Sequence, residues 1–185
     1  MVIKIVALLS LSFLYLTAAR KINYWYLLVL LSSIASDSFL IFEDSFLQIG
    51  ALLLLLNRIL YIIISRRALF ETDLKTLLGY LIPSFSMFLL VYVLMKPYLV
   101  EISYSFFMLG LTSAIMILFS FLNYLNKMNS KNKYFLYGIL LIVTADILIA
   151  YNKFLDYNLI YVIVYTSIYY LARYLICRAM ILEKN

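Results

Sequence analysis

Long apolar runs, separated by short charged or turn-forming segments, occupy nearly all of the 185-residue chain. A helix needs roughly 20 apolar residues to cross the hydrocarbon core of a bilayer. Seven runs reach about this length. We therefore predict a single transmembrane domain over residues 1–185, an all-α polytopic bundle of about seven spans. The predicted spans are about 2–19, 24–42, 45–65, 76–95, 102–122, 134–152 and 158–178.

The composition excludes the other main ways of folding such a chain. Hydrophobic residues make up 66% and charged residues 13%, whereas a soluble domain is nearer half apolar and a quarter charged. The apolar runs lack the alternation of outer-membrane strands. Helices are the remaining way to satisfy backbone polar groups in lipid.

The available side chains also limit the chemistry. Histidine is absent, which removes the commonest metal ligand and the commonest acid–base group at neutral pH, and Cys177 is the single cysteine. No phosphate-binding loop, zinc-protease motif or serine-hydrolase elbow occurs. The basic residues lie between apolar runs and form no folded nucleic-acid module. We expect no metal, no cofactor and no nucleic-acid partner.

The lysines and arginines are unevenly divided between the two ends of the predicted bundle. Of 15 such residues, ten fall at one end, two lie within spans, and three lie at the other end, namely Lys4, Lys96 and Lys153. The positively charged end is normally cytoplasmic, which predicts an outside N-terminus and a cytoplasmic C-terminus. The first span also has features of a signal peptide, with Lys4 before an apolar stretch that ends in small residues.

Two acids and two bases fall within the predicted spans, namely Asp37, Arg58, Asp146 and Arg173. Charges in a membrane are costly, so these should face inward and pair. Helical side chains lean toward the N-terminus of their own helix, so the aspartates and arginines of oppositely directed spans lean toward one another. We predict one buried, charge-neutral cluster in the outer half of the bundle. Structural salt bridges, a polar cavity for a lipid headgroup or a reaction, and snorkelling without a shared site are the alternatives.

Two segments around these charges resemble the lysoplasmalogenase (YhhN-like) family. Residues 31–64, LSSIASDSFLIFEDSFLQIGALLLLLNRILYIII, resemble its Gly/Ser-Asp helix and the following helix with a His-x-x-Tyr motif. Residues 138–178, GILLIVTADILIAYNKFLDYNLIYVIVYTSIYYLARYLICR, resemble its Ser-Asp helix, an Ala-x-x-Lys-Phe-like turn and a final helix with Tyr-Tyr-x-Ala-Gln. Lys4 matches a lysine early in the family's second helix. The family has eight spans with both ends cytoplasmic, so the resemblance implies that this chain begins at the second.

The resemblance implies hydrolysis of the vinyl ether bond of a lysoplasmalogen, which yields a fatty aldehyde and a glycerophospho-base. It implies an integral membrane protein, which we expect in a bacterial inner membrane, with a lysophospholipid as substrate or ligand. Asp37 and Asp146 would be the catalytic acid/base pair. The substrate-binding residues would be Arg58, Arg173, Lys4, Tyr61 and Asn152.

Two departures from the family pattern bear on this activity. Arg58 stands where the pattern has histidine, and Arg173 stands where it has glutamine. A carboxylate held by arginine is a poor general acid, although an arginine pair suits a lipid phosphate. The alternative function is therefore a non-catalytic lipid-binding or structural protein of the same fold. A transporter is a third possibility, without an inverted repeat to support it.

Overall fold

The chain folds into a bundle of helices. The structure, a computed structural model, describes residues 2–39, 47–98, 103–155 and 157–183. None of the residues in these ranges forms a strand, and the predicted all-α bundle is confirmed. The helices are α1 (Val2–Ala18), α2 (Tyr24–Phe39), α3 (Leu47–Ser65), α4 (Arg67–Glu71), α5 (Leu74–Met95), α6 (Ser103–Asn126), α7 (Ser130–Phe154) and α8 (Leu159–Ile181), with a 3₁₀ turn at Lys96–Tyr98.

Seven of these helices overlap the seven predicted spans. Four of them, α5 to α8, are long and apolar enough to cross a membrane, while α1 is apolar but shorter. The predicted second span reached residue 42, and its part beyond Phe39 lies outside the described residues. The chain therefore has the helices of an integral membrane protein.

Asparagines begin three of the helices. The side-chain oxygen of Asn23 accepts from the amide of Trp25 at the start of α2. Asn129 and Asn158 cap α7 and α8 in the same way, by accepting from backbone amides of the first turn. Asparagine is among the best N-cap residues, because its side chain replaces a missing helical acceptor.

The ends of α6 and α7 extend further than the hydropathy predicts. The sixth helix continues to Asn126 instead of residue 122, and α7 begins at Ser130 instead of residue 134. The polar side chains in these turns bond to backbone groups that would otherwise need water. Asn123 donates to the carbonyl of Ser65, and Asn132 donates to the carbonyl of Asn123. Both helices therefore continue beyond the apolar runs of the sequence.

The short helix α4 is an element that the apolar runs do not predict. It follows α3 directly and lies between the charged residues Arg66 and Glu71. Ala68 is fully buried against Leu118 and Leu122 of α6. Ala68 therefore packs α4 against α6.

Six helices form a closed ring in the order α1, α2, α3, α6, α7, α8, and α5 packs on the outside of α6. The interior of the ring is filled by one apolar cluster to which all six helices contribute. Its largest fully buried side chains include Tyr15, Tyr26, Tyr61, Met116, Ile139 and Ile176. Large apolar side chains such as Phe13, Leu52 and Ile163 remain exposed, as expected for a surface that faces lipid.

Hydrogen bonds tie the helices together at the end of the bundle that carries most of the basic residues. Glu183, just after α8, accepts from Lys131 of α7 at 2.6 Å and from Asn23 at 3.0 Å. Asn126 donates to Thr72 between α4 and α5. These bonds hold one end of the ring, while the charged residues of the spans lie deeper in it.

Candidate functional site

Arg58 and Asp146 form a direct ion pair inside the bundle. The guanidinium of Arg58, on α3, donates to the carboxylate of Asp146, on α7. Arg58 is almost completely buried, whereas the side chain of Asp146 is 36% exposed. The pair joins α3 to α7, both of which pack on α6. The charge-assisted hydrogen bond from the arginine orients the carboxylate.

Arg173 and Asp37 are connected through a tyrosine hydroxyl. Arg173, on α8, donates to the hydroxyl of Tyr169 at 3.1 Å. That hydroxyl in turn donates to Asp37 of α2, also at 3.1 Å. Arg173 donates as well to the hydroxyl of Tyr61 on α3, at 2.7 Å. The guanidinium also lies 4.9 Å from the centre of the Tyr169 ring, within cation–π range.

The two arrangements face a common cavity of about 990 Å³. Asp37, Arg58, Asp146 and Tyr169 all line it, together with side chains that are mostly apolar. The described wall of the cavity does not include Arg173, which lies behind Tyr169. The cavity therefore presents two carboxylates with different hydrogen-bond donors. Asp146 has a cation beside it, and Asp37 has a tyrosine hydroxyl.

The structure brings together most of the residues that the sequence nominates. Arg58 and Asp146 form one pair, and hydrogen bonds through Tyr169 join Arg173 to Asp37, with Tyr61 as a further partner of Arg173. Both sets of side chains meet at the same cavity. These side chains include two acids and two bases, so their formal charges balance. The catalytic and binding roles of these residues stay predictions.

Two other nominated residues lie outside this group. Asn152 lines the cavity and is buried, and its side-chain oxygen accepts from the amide of Asn158 at 2.7 Å. This bond joins the end of α7 to the start of α8, so Asn152 has a structural partner whatever it does to a ligand. Lys4 lies in α1, and its side chain is outside the described residues.

Tyr169 is the main residue that the sequence analysis did not identify. The chain has 18 tyrosines, and most serve as packing or interfacial residues. The signal was its spacing, because Tyr169 precedes Arg173 by one helical turn and so shares its face of α8. A tyrosine one turn from a buried arginine is a natural hydrogen-bond partner for it.

A second set of hydrogen-bonded polar side chains lies next to Arg58. Asn57, adjacent to Arg58 on α3, is buried and donates to the hydroxyls of Ser32 and Ser33 and to the carbonyl of Val29. These bonds fasten α3 to α2, the helix that carries Asp37. The relative position of Arg58 and Asp37 is thereby fixed by a neighbouring hydrogen-bonded contact.

The described part of the chain has no group of three or more histidine, cysteine, aspartate or glutamate side chains that could hold a metal ion. The described side chains of the site supply carboxylates, guanidinium groups and phenolic hydroxyls. These groups can transfer protons, bind anions and stabilise a positive charge that develops in the cavity.

The fold and this group of side chains define a helical membrane protein with a buried ionic cluster that opens on a lipid-sized cavity. The model of the YhhN family matches residues 1–180, nearly the whole chain. The protein belongs to the YhhN family. No match was found among curated proteins. None was found among solved structures either.

Proposed function

We propose that the protein hydrolyses the vinyl ether bond of a lysoplasmalogen-type lysolipid, releasing a fatty aldehyde and a glycerophospho-base. Membership of the YhhN family, which is lysoplasmalogenase-like, supports the reaction class. One structural observation carries the proposal for this chain. Two carboxylates, Asp37 and Asp146, face the same apolar cavity with different hydrogen-bond donors beside them.

The reaction needs a proton donor and a group that activates water. A proton is added to the vinyl carbon that is not bonded to oxygen, which leaves an oxocarbenium ion. Water adds to that ion and loses a proton, and the resulting hemiacetal breaks its bond to the glycerol oxygen. The net change is the consumption of one water molecule. Two carboxyl groups in different protonation states suit the two proton transfers.

The surroundings of the two aspartates suggest how the roles divide. Asp146 is paired with Arg58, so it acts as the carboxylate that stabilises the oxocarbenium ion and accepts the proton of the water. We assign the role of proton donor to Asp37, which accepts a hydrogen bond from the hydroxyl of Tyr169. This division keeps the reaction compatible with arginine at position 58, because the carboxylate beside that arginine is not the one that donates the proton.

Arg173 is a positioning residue in this scheme. It donates to Tyr169, whose hydroxyl donates to Asp37. Its contacts with Tyr61 and Tyr169 hold the phenol ring, and the ring holds the carboxyl. We place the protein in a bacterial inner membrane by analogy with the family. The basic residues at one end of the bundle predict an outside N-terminus and a cytoplasmic C-terminus.

The test compares three lysolipids that differ at one linkage. Purified protein in detergent is given the vinyl ether lipid lysoplasmenylethanolamine, its saturated alkyl ether analogue and its acyl ester analogue. The proposal predicts fatty aldehyde from the vinyl ether and no product from the other two. Release of fatty acid from the ester would make the protein a lysophospholipase instead.

The Arg58–Asp146 pair also favours a second candidate function, a non-catalytic lipid-binding or structural protein. A closed ion pair between buried helices can serve only to hold them in register. Under this candidate a folded, monodisperse preparation releases no aldehyde while an active family member, assayed alongside, does.

A further inference from the structure

Lys153 supplies a cation at the edge of the cavity, apart from the charge cluster. It lies in the last turn of α7, is exposed, and lines the same cavity as Asp146. It follows Asp146 by two helical turns, about 10 Å along the helix axis and on the same face. Helical side chains lean toward the N-terminus of their own helix, so an extended Lys153 side chain can reach along α7 toward Asp146.

In the other direction the cavity continues as an apolar groove. Its floor is one face of α6, on which lining residues recur at helical spacing from Ser113 to Phe121, a length of about 12 Å. Phe106, nearer the start of α6, packs with Phe154 at the Lys153 end of the cavity. Its sides are formed by α5 and α7, both of which pack on α6. Met87 and Ile147 line these sides and are well exposed, so the groove is open to the surrounding lipid.

Small residues on the floor of the groove allow α5 to approach α6 closely. Gly110 and Ser113 follow one another on the face of α6 that lines the cavity. A side chain at Gly110 would overlap the ring of Phe88, which packs from α5. The absence of a side chain therefore lets α5 lie close to α6 and form one side of the groove.

We propose that this cavity binds a phospholipid with a single ether-linked chain, with the phosphate on Lys153, the ether linkage beside Asp146 and the chain in the groove on α6. The identity of the lipid rests on the proposed function. The positions of cation, carboxylates and groove along the helix axes give the order headgroup, linkage, chain. A lipid bound in this way keeps the direction that it has in the leaflet nearest Lys153.

The proposal assigns the phosphate to Lys153 rather than to the arginines. Arg58 is occupied by Asp146, and Arg173 is occupied by Tyr61 and Tyr169 behind the cavity wall. Lys153 is exposed at the rim of the cavity and makes none of these contacts. Its ammonium group is a flexible point charge, which suits the binding of phosphate. The axial distance from Lys153 to Asp146 is about 10 Å. An extended lysine side chain spans part of it, and the glycerol unit between the phosphate and the ether oxygen spans the rest.

The test measures equilibrium binding of ligands that the protein does not hydrolyse. The probes are hexadecyl-glycerophosphoethanolamine, which is a saturated ether lysolipid, and hexadecylglycerol, which lacks the phosphate. Lys153→Gln should raise the Kd of the phospholipid about tenfold and leave that of hexadecylglycerol unchanged. Lys96→Gln, a lysine at the same end of the bundle, is the matched control and should change neither. Glycerophosphoethanolamine without a chain should not compete, which separates a lipid site from a phosphate site.

The chain subsite has its own variant. Ser113→Phe fills the floor of the groove where it leaves Asp146, so it should weaken binding of the hexadecyl lipid and of an octyl homologue alike, each several-fold. Unchanged binding of both lipids would overturn the chain subsite. Equal effects of Lys153→Gln on the two hexadecyl ligands, or no effect on either, would overturn the phosphate subsite, as would a wild-type protein that binds neither.

Failure of this inference and failure of the proposed function are distinguishable. The expected binding pattern without aldehyde release retains the lipid site and contradicts the hydrolase. Aldehyde release with binding that is insensitive to Lys153→Gln retains the hydrolase and contradicts the placement of the phosphate.

Discussion

The hydroxyl of Tyr169 accepts a hydrogen bond from Arg173 and donates one to Asp37. A cation on α8 thereby acts on an aspartate on α2 through a neutral group that lines the cavity. The other acid of the cavity, Asp146, receives its arginine directly. Both residues are aspartates, but their hydrogen-bond donors differ, and this difference underlies the roles proposed for them.

The link through Tyr169 predicts different effects for two tyrosine variants. Tyr169→Phe removes the hydroxyl between Arg173 and Asp37, so kcat for aldehyde release should fall roughly 10- to 100-fold as the acid loses its orientation. Tyr61→Phe removes a hydroxyl that also accepts from Arg173 but contacts neither aspartate in the described hydrogen bonds. It should retain most of the turnover. Steady-state kinetics on both variants, with Tm as a check on folding, measures this; equal kcat losses would contradict the positioning role of Tyr169.

The ion pair between α3 and α7 predicts a rescue by double substitution. Asp146→Asn leaves the buried guanidinium of Arg58 without its anion and should lower the free energy of unfolding by about 3–5 kcal/mol. Adding Arg58→Gln removes the stranded charge and should restore most of this loss. Thermal unfolding in detergent measures it, with Asp73→Asn, at the N-cap of α5, as a control. A double variant no more stable than Asp146→Asn would show that the pair is not the stabilising contact.

Two glycines predict opposite responses to the same change. A methyl group at Gly138 would overlap Ile176 and lie 3.0 Å from the carbonyl oxygen of Ala172, both on α8. Gly138→Ala should therefore separate α7 from α8 and cost about 1–3 kcal/mol of stability. Gly79, on α5, has nothing within 4 Å of the added carbon. Gly79→Ala should leave Tm unchanged or raise it, since alanine favours a helix by about 1 kcal/mol. A loss of Tm in Gly79→Ala as large as in Gly138→Ala would contradict the close contact.

Glu183 predicts a pH-dependent contribution to stability at the basic end of the bundle. Burial raises the pKa of Glu183, but hydrogen bonds from Lys131 and Asn23 outweigh it, so that its pKa lies below the ordinary value of 4.5. A carboxyl with a lowered folded pKa stabilises the protein above its unfolded pKa, and the stabilisation is lost as the pH falls through the folded pKa. We expect about 1 kcal/mol at pH 7.

The measurement is the pH dependence of Tm for the parent protein, Glu183→Gln and a control, Glu71→Gln, which changes an exposed glutamate at the end of α4. The Tm difference between the parent and Glu183→Gln should be largest at neutral pH and shrink below about pH 4. A difference that persists undiminished at low pH would show that the carboxylate charge is not what ties α8 to α7.

The sequence predicted most of the architecture because hydropathy acts locally. Each apolar run became a helix, and the breaks at asparagine and charged residues became helix ends. The short helix α4 was not predicted because it depends on contacts with α6, among them the burial of Ala68, which a local hydropathy pattern does not reveal. The extended ends of α6 and α7 were not predicted for a similar reason, since their asparagine side chains bond to backbone groups of neighbouring helices.

The sequence predicted that the four charged residues of the spans meet, but it predicted neither their pairing nor the contribution of Tyr169. The direction in which helical side chains lean brings Asp37 and Asp146 toward Arg58 and Arg173. Which aspartate receives which arginine depends on the order of helices in the ring and on the rotation of each helix about its axis. Those are set by packing over the whole bundle, so the direct Arg58–Asp146 pair and the intervening Tyr169 became visible only with the fold.

The most direct test of the central claim is aldehyde release from lysoplasmenylethanolamine by Asp37→Asn and Asp146→Asn, set against binding of the saturated ether analogue by the same preparations. The account predicts that each variant loses turnover at least about 100-fold, as expected for a lost acid or base. It also predicts that each still binds the analogue, so that the loss lies in the chemistry. Turnover within a few-fold of the parent in either variant would contradict the assignment of Asp37 and Asp146 as the catalytic pair.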